Sequence, residues 1–238
     1  ITSKIEEQIN PSIELTLSDK DFDYLDSNKK EFVKTVLPII INENQNILMI
    51  RSFVNELKDK LETFRTLNNN EIRKLNDIAK KYNIKYQNKH KLDLVDEILS
   101  NVDVIPNSIV LAQAAIESGW GKSRFAKEYN ALFGEYTYDD SEGVIPLERE
   151  NGDTHLIKAF SSYSNSVESY FDNINSHYAY EDFRDIRNIM RKRNNFSNVN
   201  LLVNKLSTYA EDENYIKTIR QVIKTNNFGI FDQKTISY

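Results

Sequence analysis

Apolar residues recur mostly every three or four positions along the first hundred residues, which is the spacing of amphipathic helices. The longest such run extends from Lys29 to Phe64, and we expect Pro38 to kink it or split it. A second helix follows the asparagines at 68–70, whose side chains can cap it, and a shorter one runs from Leu92 to Leu99. Residues 1–27 are polar and are expected to form an arm on the surface.

These segments predict an N-terminal arm and helical layer over residues 1–100, packed on a core formed by residues 101–238. No linker rich in proline, glycine or serine separates the two parts, so we do not expect the layer to be an independent domain. The only boundary that the sequence indicates is a weak one near Asn101.

The pattern changes between Pro106 and Ser118, where almost every residue is apolar. A helix that is apolar on all sides is typical of a buried helix. Glycines on both sides of Trp120 predict its end. The polar exceptions are Gln113 and Glu117, whose separation of four residues places them on the same side of the helix.

A short β element follows this helix. After a helix from Ser123 to Glu128, the stretch from Leu132 to Tyr138 has an extended pattern. Asn151-Gly152 predicts a hairpin turn, with Val144 to Glu150 and Thr154 to Phe160 as its strands.

Helices resume after the hairpin. Asn165 and Glu168 have the spacing of a capping box at the start of the first one. The pattern predicts further helices over three segments, Glu181 to Arg193, Val199 to Leu206 and Glu213 to Thr225. The predicted fold class is therefore mainly α, of α+β type, with a helical body, a small β-hairpin lobe and an N-terminal helical layer.

Composition excludes several kinds of function. The 238 residues carry a net charge of -5, no cysteine and three histidines, none of them at a metal-ligand spacing. We therefore predict no metal and no cofactor. Basic residues alternate with acidic ones, which disfavours nucleic acid as a partner, and no apolar run is long enough to span a membrane. Catalysis by this chain would depend on carboxylates.

Glu117 is the first candidate. A carboxyl group on a buried apolar helix loses solvation, which raises its pKa and lets it hold a proton near neutral pH. A general acid that hands a proton to a leaving oxygen needs this property. The alternative is a structural glutamate that accepts backbone hydrogen bonds from the turn at residues 119–121.

The residues around Glu117 resemble a known family. The stretches Leu111-Ala112-Gln113-Ala114-Ala115-Ile116-Glu117-Ser118-Gly119-Trp120-Gly121 and Asn130-Ala131-Leu132-Phe133-Gly134 are similar to the signature of the Bax family of peptidoglycan-cleaving glucosaminidases. That family belongs to the mannosyl-glycoprotein endo-beta-N-acetylglucosaminidase-like group. The resemblance extends over roughly residues 22–232 and implies a lysozyme-like fold.

The resemblance also implies site residues. Glu117 matches the catalytic acid of the family, and Glu148 matches a second glutamate on the β lobe. Strand alternation directs Glu148 and Glu150 to the same face, so spacing does not choose between them, and both can be ordinary surface charges. Glu142 is a third candidate. Tyr209 matches a groove tyrosine in a segment that resembles the family's Tyr-Ala-Thr-Asp.

Gln113, Trp120, Phe133 and Glu150 are further candidates for substrate binding, with core packing as the alternative for Trp120 and Phe133. The implied activity is hydrolysis of the N-acetylglucosaminyl bond in peptidoglycan glycan strands by a monomer in the periplasm or outside the cell. Retention, inversion and participation of the sugar's own acetamido group remain open. The alternatives are a lytic transglycosylase, a muramidase and a glycan-binding protein without catalysis.

Overall fold

The computed structural model describes residues 19–145, 156–195, 198–210 and 212–232. The α-helices in these ranges are α1 (Ser27–Glu62), α2 (Asn69–Lys81), α3 (Lys91–Asn101), α4 (Asn107–Glu117), α5 (Arg124–Tyr129), α6 (Tyr163–Ser176), α7 (Glu181–Lys192), α8 (Val199–Val203) and α9 (Tyr215–Thr225). Three short 3-10 helices occur at Asp19–Phe22, Tyr178–Tyr180 and Phe228–Phe231.

The long helix α1 continues through Pro38, so the predicted split at this proline is wrong. Residues on both sides of the proline, including Val36, Leu37 and Ile40, are completely buried. Their packing outweighs the hydrogen bond that proline removes from a helix. α1 packs against α3, α4 and α6. The proposed boundary near Asn101 stays a prediction.

Of the two helix caps predicted from the sequence, the one at α2 is confirmed and the one at α6 is wrong. Asn68 caps α2, and its side chain and that of Glu71 form a reciprocal capping box. For α6, the cap is Ser162, whose hydroxyl accepts a hydrogen bond from the backbone N–H of Asn165. The helix therefore begins earlier than the Asn165 cap implied, because both positions carry side chains that can cap.

The β element is a three-stranded antiparallel sheet in the order β1-β3-β2. Its strands are β1 (Tyr136–Thr137), β2 (Gly143–Val144) and β3 (Leu156–Lys158). Val144 lies opposite Ile157, which confirms the pairing of the two predicted hairpin segments. The extended stretch before them supplies the third strand. The Asn151-Gly152 turn lies outside the described residues.

Helix α4 is the centre of the fold, and every residue from Asn107 to Ala115 is buried. Its first turn is held by side chains from distant parts of the chain. Ser108 donates from its backbone nitrogen and from its hydroxyl to the carboxylate of Asp232, at 2.8 and 2.7 Å. The side chain of Asn107 donates to the carbonyl of Phe231 at 2.8 Å.

The architecture confirms the predicted class, a mainly α chain with a small β element. None of the helices in the described ranges is both long and apolar enough to cross a membrane. Those ranges also hold no group of three or more histidine, aspartate or glutamate side chains suited to a metal ion.

We predict that Asp232→Ala lowers the free energy of unfolding by about 1–3 kcal/mol, because it removes two acceptors from buried donors at the start of α4. Urea unfolding followed by circular dichroism measures this change. Asp185→Ala is the control, since this aspartate of α7 is exposed. An equal, small effect of both substitutions would contradict the proposed importance of this cap.

Candidate functional site

Glu117 is the last residue of α4, where the buried helix reaches the surface. Three consecutive residues with positive φ follow its cap, namely Gly119 (56°), Trp120 (59°) and Gly121 (71°). The hydroxyl of Ser118 accepts a hydrogen bond from the backbone N–H of Gly121 at 2.8 Å, which closes this turn. The chain thus leaves the helix sharply, and the Glu117 side chain remains partly buried at the helix end.

Glu117 receives a hydrogen bond from a tyrosine that the sequence analysis did not select. The hydroxyl of Tyr215, at the start of α9, donates to Oε1 of Glu117 at 2.7 Å. Nε2 of Gln113 donates to the same tyrosine oxygen at 3.0 Å. Oε1 of Gln113 accepts from the hydroxyl of Tyr170, on α6, at 2.6 Å. Four side chains from three helices therefore form one chain of hydrogen bonds that ends at the carboxyl group.

Two opposing effects act on the pKa of Glu117. Burial raises the pKa, and the hydrogen bond from Tyr215 lowers it by stabilising the ionised form. Burial is the larger effect, so the pKa lies above that of an ordinary glutamate. This is the direction that a group must have to donate a proton near neutral pH.

The other carboxyl oxygen lies beside the backbone of Gly134. A Cβ atom placed on Gly134 would be 3.8 Å from Oε2 of Glu117. Gly134 has a φ of 62°, a value that residues with a side chain rarely adopt. The absence of a side chain here keeps space in front of Oε2.

The predicted aromatic residues have different surroundings. Tyr209 is partly buried, stacks on Tyr215 with ring centroids 5.7 Å apart, and donates from its hydroxyl to the carbonyl of Phe133 at 3.1 Å. Phe133 is only 2% exposed and stacks on Tyr170 at 4.2 Å. Tyr209 therefore lies next to the Glu117 network, whereas Phe133 is part of the packing below it.

Trp120 and Gln113 are placed by packing and hydrogen bonds within the protein. The Trp120 ring contacts Phe32 and Phe228, with centroids 5.7 and 6.1 Å away, and the Lys29 ammonium lies 5.0 Å from its centre. Gln113 is completely buried. The contacts of Trp120 and Gln113 within the protein do not support direct binding of a substrate by either residue. Their role in substrate binding stays a prediction.

The second carboxylate falls mostly outside the described residues. Glu148 and Glu150 lie in the segment 146–155, whose structure is not described. Glu142 is described: its carboxylate is half exposed and pairs with Lys158 on β3 at 3.8 Å.

Sequence reasoning also missed Glu135, which directly follows Gly134. Its Oε2 accepts a hydrogen bond from the hydroxyl of Ser169 at 2.9 Å, and its Oε1 is buried without a partner among the described residues. Burial raises the pKa of Glu135 to about 7. The side chain borders a surface depression of about 430 Å³ that also includes Lys158 and Asp172.

Two signals could have found the missed residues. Tyr215 ends the segment Tyr209-Ala210-Glu211-Asp212-Glu213-Asn214-Tyr215 that carries the family resemblance. Glu135 directly follows the Phe133-Gly134 pair of the signature. A carboxylate next to these signature residues is a second signal of a place near the site.

Comparison with known proteins identifies the family of this chain. Residues 92–228 match the family model described as "Mannosyl-glycoprotein endo-beta-N-acetylglucosaminidase", named Glucosaminidase. This match includes Glu117 and Tyr215. It extends over more than half of the chain, and the chain belongs to this glucosaminidase family.

Individual relatives agree with the family. "Protein bax" of Escherichia coli (strain K12) is 32% identical over 182 residues, which are 76% of this chain and 63% of that protein. "Peptidoglycan hydrolase FlgJ" of Escherichia coli O157:H7 is 35% identical over 92 residues, 34% of this chain and 29% of FlgJ. The matched regions thus span less than two thirds of these relatives.

One solved structure is also similar. It is the catalytic domain of the autolysin Auto from Listeria monocytogenes, with 19% identity, a TM-score of 0.42, and coverage of 75% of this chain and 96% of that domain.

We predict that Glu135→Gln weakens the pH dependence of stability. A folded-state pKa of about 7, against an ordinary value of 4.5, gives stability that is fully present below pH 4.5 and is lost as the pH rises to about 7. The variant lacks this contribution, worth about 1.4 kcal/mol for each unit by which the pKa differs. Its unfolding free energy should therefore fall less between pH 5 and 8 than that of the wild type.

Denaturant unfolding at pH 5, 6, 7 and 8 measures this dependence. Glu128→Gln, at an exposed position on α5, is the control and should follow the wild type. Some dependence should remain in Glu135→Gln, because burial also raises the pKa of Asp172 to about 6. Parallel curves for the wild type and Glu135→Gln would show that the interpretation of Glu135 is wrong.

Proposed function

We propose that this glycosidase hydrolyses the N-acetylglucosaminyl bond in peptidoglycan glycan strands, with Glu117 as its general acid. The observation that carries the proposal is the position of Glu117, a carboxyl group of raised pKa at the surface end of a buried helix and within the matched family region. The name of the relative FlgJ, a peptidoglycan hydrolase, supports the choice of substrate.

In the proposed reaction, protonated Glu117 gives its proton to the oxygen of the glycosidic bond. The bond between this oxygen and the anomeric carbon breaks, and positive charge develops on the sugar ring. We assign the donating role to Oε2, because Oε1 is occupied by the hydrogen bond from Tyr215. Gly134 leaves space at this oxygen for the substrate.

We propose Glu148 as the second carboxylate, which stabilises the charged ring or activates the attacking water. The pairing of the half-exposed Glu142 carboxylate with Lys158 disfavours Glu142 for this role. A separation of about 5–5.5 Å between the two carboxyl groups would give retention, and about 6.5–9.5 Å would give inversion. The acetamido group of the substrate can replace a protein nucleophile in the same position.

The surrounding residues receive roles that follow their contacts. Tyr209 is the proposed groove tyrosine, since it is partly buried beside Tyr215. We propose that Glu150 contacts the glycan from the β lobe. Trp120 and Phe133 support the site by packing, and Gln113 acts through Tyr215. A peptidoglycan substrate would place the activity in the periplasm or outside the cell.

We predict that Glu117→Gln keeps the fold and lowers hydrolysis by at least about 100-fold, because the N–H protons of the amide are far too weakly acidic for transfer to the leaving oxygen. The purified wild type and variant are incubated with peptidoglycan, the soluble fragments are reduced, and mass spectrometry identifies the sugar ends. Reduced N-acetylglucosamine ends from the wild type are the expected result. Glu128→Gln serves as the matched control and should remain fully active.

Each other outcome has a definite meaning. Reduced muramic acid ends would indicate a muramidase, and anhydro ends, which have lost one water and resist reduction, would indicate a lytic transglycosylase. Binding without any cleavage would indicate a glycan-binding protein. An active Glu117→Gln variant would refute the assignment of the general acid.

A further inference from the structure

The hydrogen bonds that lead from Tyr170 through Gln113 and Tyr215 to Glu117 all have their donors on the Tyr170 side. Tyr170 is the end of this chain that is farthest from Glu117. The Tyr170 side chain is completely buried. Its hydroxyl has one proton and, among the described residues, one acceptor, Oε1 of Gln113 at 2.6 Å. A buried hydroxyl that does not donate is unfavourable, so this proton belongs to the bond with Gln113.

This bond fixes the orientation of the Gln113 amide. Because the amide is planar, directing its oxygen towards Tyr170 directs its nitrogen towards Tyr215. The oxygen of Tyr215 then accepts a hydrogen bond from Gln113 at 3.0 Å. The single proton of Tyr215 is left for Oε1 of Glu117, at 2.7 Å.

We propose that Tyr170 and Gln113 are positioning residues that fix the direction of this chain and thereby keep the catalytic proton of Glu117 on Oε2. A carboxyl oxygen that accepts a hydrogen bond from the Tyr215 hydroxyl cannot also carry a proton that it donates to the same hydroxyl. Oε2 accepts no hydrogen bond from the described residues and is not among their buried unpartnered atoms, so it is the oxygen that can meet a substrate. This inference rests on the proposed role of Glu117 as the acid.

The four side chains can also form these hydrogen bonds in the opposite direction, and every proton then has an acceptor except the one on Tyr170. With the amide turned over, Glu117 would carry its proton on Oε1, donate to Tyr215, and be unable to protonate a sugar oxygen beside Gly134. In that arrangement the hydroxyl proton of Tyr170 would have no acceptor among the described residues. The cost of this unpaired donor therefore selects the productive direction.

The phenols keep their protons over the working range of the enzyme. Burial raises the pKa values of both Tyr170 and Tyr215 above the ordinary tyrosine value. Each hydroxyl is thus a neutral group with one proton to donate, as the direction of the chain requires.

The test measures the pKa of Glu117 directly, by a 13C NMR titration of the glutamate side-chain carboxyl in the full chain. The pH dependence of kcat and KM for peptidoglycan hydrolysis is measured on the same proteins. The variants are Tyr215→Phe and Tyr170→Phe. Tyr180→Phe is the matched control, because it removes a hydroxyl from the same aromatic cluster, with its ring 6.3 Å from that of Tyr209, but from outside the chain.

Tyr215→Phe should raise the pKa of Glu117 by about one unit, since it removes a hydrogen bond to the ionised carboxylate. Tyr170→Phe leaves that bond in place but lets the amide turn over. It should raise the pKa by a smaller amount and lower kcat by about twofold or more, as part of the protonated enzyme holds its proton on Oε1. KM should not change, and Tyr180→Phe should titrate like the wild type.

The phenyl ring of Tyr170→Phe can keep the stacking contact with Phe133, which protects the fold. Gln113→Leu is the second variant: it removes the amide that accepts from Tyr170 and donates to Tyr215, so the direction of the chain is no longer fixed, and it should raise the pKa of Glu117 at least as much as Tyr170→Phe does.

A wild-type titration of Glu117 in Tyr170→Phe and Gln113→Leu would overturn the inference, as would a loss of kcat without a change in pKa. An active Glu117→Gln variant would instead overturn the proposed function, and the titration would still decide the direction of the chain.

Discussion

The hydrogen bonds between Asp232 and the first turn of α4 are the constraint on which the remaining structure depends. α4 is buried along its length, so water cannot satisfy the backbone donors at its start. The carboxylate of Asp232 accepts from two donors of Ser108, and it comes from the end of the described chain. A helix that carries the candidate acid at one end is thus held at its other end by residues more than a hundred positions away.

A second polar cluster fixes the segment that leads into α4. The buried carboxylate of Asp103 accepts from Arg191 on α7 at 2.9 and 2.5 Å and lies 3.4 Å from Arg51 on α1. Burial raises the pKa of Asp103, but the Arg191 hydrogen bonds and the charges of Arg51 and Arg187 outweigh it and hold the pKa below the usual range. The guanidinium of Arg187 also donates to the carbonyls of Asn101 and Asp103. α1 and α7 are therefore joined through the residues that set the position of α4.

The sequence predicted those parts of the fold that depend on local pattern. The buried character of α4 and its end just before Gly119 follow from composition over a short window. The wrong predictions concern positions where the local sequence preference and the contacts in the folded protein favour different structures, or where two local preferences compete. Pro38 disfavours a continuous helix, but the buried contacts of its neighbours keep α1 intact. Ser162 and Asn165 can each cap α6, and only the three-dimensional structure chooses Ser162.

The candidate site shows the same limit more sharply. The four-residue spacing of Gln113 and Glu117 predicted that both project from one side of α4, and both contact the hydroxyl of Tyr215. Their partner could not be predicted from spacing, since Tyr215 lies 98 residues beyond Glu117, and Tyr170 lies 57 residues beyond Gln113. Periodicity identifies the face of a helix but not the group that meets it. For a general acid that group matters, because the hydrogen bond it donates opposes the effect of burial on the pKa and selects the carboxyl oxygen left for the substrate.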